Sequence, residues 1–292
     1  MNLIITEKFL LSDLNAGDDV IDFRNIESID SFGVVSLLCS IQTRSARRPQ
    51  KILLGNPEVL DRLLKAGFFD ELKRRCRDKV TWDESILPIS INANNGDILT
   101  LVRYGNVSGD ERRIADDFKE QLSPYGFSEN LLCAGNVIIG EAGANSHTHS
   151  HSPSHIMVDG SVPLKSLRIG IADIGQGIAI TLRENPDHAG LDDPHALLTA
   201  LKVNVSSWHG VNRGKGLTEI LKWTMSYKGI LRIDSGGRTV MINCGTPAPT
   251  CESSPCDDLH GTRMGIVLND GPFADVSRKN ADELATKLLE EL

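Results

Sequence analysis

The sequence predicts an α/β protein made of two units. Its 292 residues leave room for two domains. In the first 90 residues, short apolar strands alternate with runs whose apolar residues recur at helical spacing, an order typical of parallel strands. Farther along, an apolar helix ends in a carboxylate and an amide, and an apolar strand is followed by a carboxylate and two glycines. This second pattern indicates a larger α/β unit that holds a flat heterocyclic ligand.

The first unit, residues 1–90, has local signals for each element. In chain order these are strand Asp19–Phe23, helix Phe32–Arg47, strand Lys51–Gly55 and helix Glu58–Ala66. Asp30 or Ser31 can cap the first helix, because a short polar side chain accepts a hydrogen bond from a free backbone N–H. Asn56 can cap the second helix, and Pro57 suits its first position. The order strand, helix, strand, helix predicts that the strands pair in parallel.

Turn signals divide the rest of the chain. Asn92–Asp97 is rich in Asn and Gly and is flanked by apolar runs, so residues 91–107 are predicted to form a linker or a hairpin. A second hairpin is predicted around Ser235–Gly237. This hairpin belongs to the larger unit, residues 108–270, and residues 271–292 are predicted to form an amphipathic C-terminal helix.

The most informative motif follows the apolar run Leu167–Ala172. It begins with Asp173, and glycines follow at Gly175 and Gly177. A carboxylate at the end of a buried strand can accept a hydrogen bond from an exocyclic amine, and the glycines let the backbone approach a planar ligand. A Gly-Thr pair ending at Thr262 enters a later strand, and its hydroxyl could bond this carboxylate or its water.

A second pair of polar residues lies at the end of a predicted helix that starts at Glu129, with Ser128 as its cap. Glu141 and Asn145 are four residues apart, which places them on one face of the helix. A carboxylate and an amide oxygen at that spacing can serve a hydrated Mg²⁺ and an attacking water. The alternative is that they are simply the polar end of a buried helix.

Glycines also precede a predicted helix over Leu217–Tyr227. Gly214 and Gly216 would leave backbone N–H groups free at the positive end of the helix dipole, an arrangement that can hold phosphate. Arg213 and Lys215 add positive charge beside them. By itself, the pattern is equally consistent with an ordinary glycine-rich turn.

Four histidines crowd the segment after Asn145: His147, His149, His151 and His155. Alternate histidines on a strand share a face, so an independent metal site is one hypothesis. The other interpretation is a polar Ser/His/Pro stretch in which His147 or His149 contacts phosphate or orients Glu141. We favour the second interpretation.

Composition limits the classes of partner. The net charge of −8 and the isoelectric point near 5.5 disfavour broad nucleic-acid binding. The sequence contains no apolar run of about 20 residues that would span a bilayer, and its first residues lack the layout of a signal peptide. We therefore expect no membrane partner and a cytoplasmic location.

Taken in order, the motifs Glu-x-x-x-Asn, Asp-x-Gly-x-Gly, Gly-x-Gly-Leu and Gly-Thr resemble one known ATP-binding domain. It is the Bergerat-fold or GHKL domain of DNA gyrase, heat-shock chaperone ATPases, sensor histidine kinases and mismatch-repair ATPases. The resemblance covers roughly residues 108–270. It implies a two-layer α/β sandwich with a mixed sheet, helices on one face, and a lid over roughly Asn185–Arg213.

The resemblance also implies roles for the motif residues. Asp173 would bind the adenine amine, with Gly175 and Gly177 shaping that wall, while Asn145 would coordinate Mg²⁺. Glu141 matches the general base of the members that hydrolyse ATP or phosphorylate serine. The remaining ATP-binding positions are Arg213, Gly214, Lys215, Gly216, Leu217 and Thr262.

The first unit resembles a STAS domain, the fold of anti-sigma-factor antagonists. The resemblance is carried by Val20–Phe23, Ile29–Gly33 and Leu53–Val59. Phe32 stands where phosphorylatable antagonists carry their target serine, and Ser31 is better explained as a helix cap. The resemblance therefore implies a module that binds a protein partner or forms a homodimer.

These observations leave three functions open. The leading one is a Mg²⁺-ATP-binding regulator that acts as a slow ATPase switch or as a protein serine kinase toward a partner. The second is a regulator in which ATP controls assembly and is not hydrolysed. The third, less favoured, is a metal-dependent enzyme centred on the His147–His155 segment.

Overall fold

The computed structural model of the chain is an α/β structure with two sheets. It describes residues 19–87, 97–104, 110–150, 152, 154–206, 216–256, 260–271 and 273–291. Within these residues, a smaller sheet has three strands and a larger one has seven. No helix in these ranges combines the length and the apolar composition required to cross a membrane.

The N-terminal unit contains a parallel sheet, as predicted. Its elements are β1 (Val20–Asp22), α1 (Ser31–Arg47), β2 (Gln50–Leu53), α2 (Pro57–Lys65), α3 (Phe68–Cys76) and β3 (Val80–Thr81), with sheet order β1-β2-β3. The Asp30 carboxylate accepts a hydrogen bond from Gly33 N at 2.8 Å, and Asn56 Oδ1 accepts one from Glu58 N at 2.9 Å. Asp30 and Asn56 are therefore confirmed as caps, whereas the interpretation of Ser31 as a cap is wrong, because Ser31 is the first residue of α1.

The larger sheet and its helices follow. They are β4 (Asp97–Tyr104), α4 (Asp110–Leu122), α5 (Glu129–Asn145), β5 (Ser154–Ser161), β6 (Ser166–Asp173), α6 (Ile178–Arg183), α7 (Asp193–Thr199), α8 (Gly216–Ser226), β7 (Ile230–Ser235), β8 (Arg238–Asn243), β9 (Thr250–Pro255), β10 (Thr262–Asn269) and α9 (Arg278–Glu290). The sheet order is β4-β5-β6-β10-β7-β8-β9. Its β7–β8 hairpin is confirmed, with positive φ at Gly236 and Gly237.

The sheet is antiparallel at every pairing between the described strands, so the predicted mixed sheet is wrong. The helical connection between β6 and β7 would ordinarily leave those two strands as parallel neighbours. Here β10, the last strand along the chain, lies between them and pairs antiparallel with both. A contact between distant parts of the sequence thus decides the sheet type.

The predicted hairpin, whose arms are the apolar runs Ile86–Ile91 and Ile98–Tyr104 on either side of Asn92–Asp97, is described only in part. Asp97–Tyr104 is indeed a strand, but it pairs with β5 as an edge strand of the larger sheet. Ile86, in the other predicted arm, lies in a short 3₁₀ turn, Glu84–Ile86. Residues 88–96 lie outside the described part of the chain. The larger sheet therefore begins before residue 108.

Helices cover both faces of the larger sheet, because α1 of the N-terminal unit lies on the face opposite α5, α7 and α8. One face packs against the layer that contains α5, α7 and α8, and the opposite face packs against α1 of the N-terminal unit across β5, β6 and β10. Met157 and Ala172 of the larger sheet are part of the hydrophobic core of the N-terminal unit. A two-layer sandwich is thus extended by a third layer.

A pair of glycines explains how α1 comes so close to the sheet. Gly170 on β6 and Gly265 on β10 are direct partners in the register. A Cβ atom on Gly170 would lie within 2.6 Å of Phe32 N, and one on Gly265 would lie 3.0 Å from the Phe32 ring. The two glycines leave a flat surface without side chains that receives the first turn of α1.

The middle of the predicted lid is packed into the core. Leu197, Leu198 and Leu201 have no exposed surface and belong to the main hydrophobic core. The backbone N–H of Val203 donates to Asp282 of α9 at 2.8 Å. The prediction of a lid over Asn185–Arg213 is therefore wrong for residues 197–203, which are fixed by core contacts. Residues 207–213 lie outside the described chain.

Candidate functional site

The carboxylate of Asp173 lies at the end of β6 and is only 6% exposed. Its Oδ1 accepts hydrogen bonds from the backbone N–H groups of Gly175, at 2.8 Å, and Thr262, at 3.3 Å. Burial raises the pKa of Asp173 to about 6, although these hydrogen bonds and the charge of Arg263 act in the opposite direction. Within the described chain, its second oxygen, Oδ2, accepts no hydrogen bond.

Glycines bring three chain segments together around this carboxylate. Gly177 has a φ of +86°, and a Cβ atom there would lie 2.7 Å from Gly261 O. A Cβ atom on Gly175 would lie within 2.6 Å of Ser150 Cα, at the end of the π-helical turn that follows α5. The glycines of the motif thus permit close contact between backbone segments of the chain, whereas the predicted approach of this backbone to a planar ligand stays a prediction.

A cavity of about 120 Å³ opens beside Asp173. Of the predicted site residues, six line it: Asn145, Asp173, Gly177, Gly216, Leu217 and Thr262. Gly175 does not line it and acts through the backbone turn. Apolar side chains form much of the remaining wall: Ala142, Ile178, Leu182, Ala200, Val205 and Met264. A polar group at one end and an apolar wall are typical of a site for a small heterocycle.

Sequence analysis missed part of this wall. Ile178, Leu182 and Ala200 come from α6 and from the segment after α7, and the last of these was assigned to the lid. Ser235 was also missed, although its Oγ accepts a hydrogen bond from Ile178 N at 2.9 Å and thereby holds the start of α6. The helical spacing of Ile178 and Leu182 was the available signal.

Glu141 and Asn145 lie at the end of α5 and face the first residue of α8. Ser128 caps α5 as predicted, since its Oγ accepts from Leu131 N at 3.3 Å. A Cβ atom on Gly216 would lie 2.9 Å from Glu141 Oε2 and 3.1 Å from Asn145 Nδ2. Asn145 Nδ2 is buried and has no hydrogen-bond partner in the described structure. Both polar groups therefore meet the N-terminus of α8; Asn145 and Gly216 line the cavity, whereas Glu141 does not line it and lies beside Gly216.

The charge of Glu141 depends on a neighbouring acid. Partial burial raises the pKa of Glu141, Glu219 on α8 raises it further, and Arg278 on α9 lowers it. Burial alone would raise the pKa of Glu219, but hydrogen bonds from Lys222, at 2.8 Å, and Arg278 outweigh burial and lower it. Glu219 thus keeps a negative charge near Glu141, which makes Glu141 a better proton acceptor.

The described histidines do not form a metal site. His149 lines the cavity. His155 lies on β5 with 1% exposure and faces the N-terminal unit, where its Nε2 is 3.0 Å from Gln42 Nε2. Burial lowers the pKa of His155 to about 4. Among the described residues, no group of three His, Cys, Asp or Glu side chains could hold a metal ion.

Some predicted residues fall outside this description. Arg213, Gly214, Lys215 and His151 are not among the described residues, and neither is the side chain of His147. No protein-family model matches the chain, and no curated protein matches it. The residues around the cavity are therefore the basis for inferring a function.

Proposed function

We propose that the chain binds Mg²⁺-ATP in this cavity and acts as an ATP-dependent regulator. Asp173 is the observation that carries the proposal. It is a buried carboxylate with Oδ1 held by two backbone N–H groups and with Oδ2 left to accept a donor from a ligand in the cavity. The exocyclic amine of adenine is such a donor, and the apolar wall suits its ring.

The other end of the cavity suits the phosphates. The first N–H groups of an 11-residue helix, α8, lie there beside Gly216, and helix N-termini favour anions. Arg213 and Lys215 directly precede this helix in the sequence and would add positive charge.

The donor set also fits Mg²⁺. The cation prefers oxygen ligands, and Asn145 and Glu141 supply an amide and a carboxylate beside Gly216. Asn145 Oδ1 is the atom that would contact the cation, while Asn145 Nδ2, which is buried without a partner in the described structure, is a donor that a phosphate oxygen could satisfy. When bound, Mg²⁺ would neutralise phosphate charge, with Asn145 as the residue that holds it.

Glu141 supports turnover and not binding alone. Its carboxylate lies beside Gly216, where the terminal phosphate would lie, and its pKa is raised by burial and by Glu219. A carboxylate with a raised pKa can accept a proton from an attacking water or from a serine hydroxyl. This favours a slow ATPase switch or a protein serine kinase over a regulator that never turns ATP over.

We further propose that the two units are of the Bergerat and STAS types and that the protein acts in the cytoplasm. In the larger sheet, every pairing between described strands is antiparallel, which departs from the mixed sheet of the Bergerat fold. The N-terminal unit keeps exposed residues on α2 and α3, such as Glu58 and Asp70, that a protein partner or a second copy could contact, although Arg62 of α2 and Glu71 of α3 also reach β5 of the larger sheet.

Calorimetry with Mg²⁺-ATP tests nucleotide binding. We expect uptake by the wild type and a loss of at least tenfold in affinity in Asp173→Asn, whose amide presents a donor where an acceptor is needed. The matched control is Asp70→Asn, an exposed carboxylate on α3. Equal affinity in Asp173→Asn and the wild type would contradict the proposal.

Labelled ATP separates the possible reactions. The protein is incubated with γ-labelled ATP and Mg²⁺, with and without a lysate fraction as a source of acceptors. Orthophosphate release alone indicates an ATPase, and a labelled protein indicates a kinase. Glu141→Gln should retain ATP affinity and lose most turnover in both cases; full turnover in this variant would show that Glu141 is not the base.

A further inference from the structure

A row of residues crosses the larger sheet next to the proposed nucleotide site, on the opposite face. The strand register aligns His155 on β5, Ala172 on β6, Arg263 on β10 and Asp234 on β7. Ala172 immediately precedes Asp173, and Arg263 immediately follows Thr262. Because side chains alternate along a strand, this row faces α1 while Asp173 and Thr262 face the cavity.

Arg263 of this row carries a positive charge and makes a direct hydrogen bond to the N-terminal unit. It is 3% exposed, and its guanidinium donates to Ser40 Oγ of α1 at 2.6 Å. Ser40 is held in turn, since its Oγ donates to Ser36 O at 2.9 Å. A buried guanidinium is costly without partners, so its position is well defined by this contact.

The backbone of β10 next to Arg263 also contributes to the cavity. Thr262 N donates to Asp173 Oδ1 at 3.3 Å, one residue before Arg263. The positive charge of Arg263 also acts on Asp173 through the sheet and favours its ionised form. Arg263 is thus joined to α1 on one side and to the Asp173–Thr262 pair on the other.

We propose that Arg263 is a positioning residue of the nucleotide site, through which the docking of α1 on the sheet controls how well Asp173 and Thr262 bind the ligand. This rests on the proposed binding of ATP and goes beyond it, because it makes the N-terminal unit an intrachain regulator of affinity. By linkage, a ligand on Asp173 also strengthens the docking of α1.

Two pairs of variants test the proposal by calorimetry with Mg²⁺-ATP. Arg263→Met is compared with Arg62→Met, because Arg62 pairs with Asp159 of β5 in the same interface. Asp159 is about 16 Å along β5 from Ser154, the residue that pairs with Asp173, so this control lies away from the cavity. Ser40→Ala is compared with Ser45→Ala, which removes another buried hydroxyl of α1, one bonded to Gln42 O. Ser40→Thr retains the hydroxyl and serves as the rescue.

We expect the dissociation constant to rise on the order of tenfold in Arg263→Met and about threefold in Ser40→Ala. The two controls and Ser40→Thr should stay within about twofold of the wild type. A general loss of stability would instead weaken binding in the controls as well. Equal losses in Arg62→Met and Arg263→Met, or no loss in Arg263→Met, would overturn the proposal.

Hydrogen exchange gives a second readout. Mg²⁺-ATP should slow amide exchange in α1 around Ser40 in the wild type and have little effect there in Ser40→Ala. Unchanged exchange in a wild type that binds ATP overturns the coupling alone. A wild type that takes up no Mg²⁺-ATP overturns both the coupling and the proposed function, so the two failures are distinguishable.

Discussion

The two faces of the larger sheet use polar residues in different ways. On the face toward α1, buried charges have partners across the interface: Arg62 pairs with Asp159, and Arg263 bonds Ser40. On the cavity face, Asp173 Oδ2 and Asn145 Nδ2 have no hydrogen-bond partner among the described residues. Buried polar atoms without a hydrogen-bond partner also occur on the first face, at Arg62 Nε and His155 Nδ1, so the difference is that Asp173 and Asn145 line a cavity that a ligand can enter.

Glycines show the same division. Gly170 and Gly265 leave a smooth surface on which α1 packs, so they serve assembly. Gly177 allows a turn with positive φ at the cavity, so it serves the site. Substituting one residue on each face should therefore separate stability from binding, and the following predictions are ordered by the size of the expected effect.

Gly170→Ala should give the largest loss of stability. Its Cβ atom would overlap the backbone of α1 at Ser31 and Phe32, which cannot move without separating the two units. We expect the free energy of unfolding to fall by about 3 kcal/mol, as in severe overpacking. Denaturant unfolding measures this.

The matched control is Gly140→Ala on α5, where a Cβ atom meets nothing within 4 Å. That substitution should stabilise the helix by up to about 1 kcal/mol. A Gly170→Ala variant as stable as the wild type would show that α1 does not dock tightly on this face.

Gly177→Ala should affect the cavity face most. The residue has a φ of +86°, and its Cβ atom would crowd Gly261 O, so the turn after Asp173 must rearrange. We expect a loss of stability of about 2 kcal/mol together with a loss of ATP affinity greater than that of Gly170→Ala. Calorimetry with Mg²⁺-ATP on both variants, at a temperature where each is folded, measures the two losses of affinity. A larger loss in Gly170→Ala than in Gly177→Ala would contradict the assignment of ligand binding to the cavity face.

Asp173→Asn should remove ATP binding yet stabilise the fold at neutral pH. The pKa of Asp173 is raised from 3.8 to about 6, so between these values the folded state binds more protons than the unfolded state. The free energy of unfolding therefore falls as pH rises from about 4 to 6 and stays low above 6. We expect the Asn variant to gain about 2 kcal/mol at pH 7.5 and little at pH 4.

Thermal unfolding of both proteins at the two pH values measures this gain, with the exposed Asp70→Asn as the control. A gain that does not depend on pH would mean that burial of a charge is not its cause. The expected result would identify Asp173 as a residue kept for a ligand at a cost in stability.

Sequence analysis identified the elements whose hydrogen bonds or turns join residues a few positions apart in the chain. The caps Asp30, Asn56 and Ser128 were readable because each bonds a backbone N–H within three residues. The β7–β8 hairpin was readable because two glycines at its turn take positive φ. The motif at Asp173 was readable for the same reason, since a strand, a carboxylate and two glycines are contiguous.

Contacts between distant segments escaped sequence analysis. The apolar pattern of Leu197, Leu198 and Leu201 does not say whether the segment covers a ligand or fills a core. His155 was grouped with nearby histidines, but strand alternation turns it toward the N-terminal unit. Which partner a residue meets depends on packing, and packing was not encoded in its immediate neighbours.

The sequence by itself determined the caps Asp30, Asn56 and Ser128, the β7–β8 hairpin and the polar residues that end α5 and β6. Tertiary structure alone decided that β10 lies between β6 and β7, that α1 covers the back of the larger sheet, and that Glu141 and Asn145 meet the first turn of α8. The physical reason is that hydrogen bonds within a few residues depend on local chemistry, whereas burial of apolar surface is satisfied only by the whole chain.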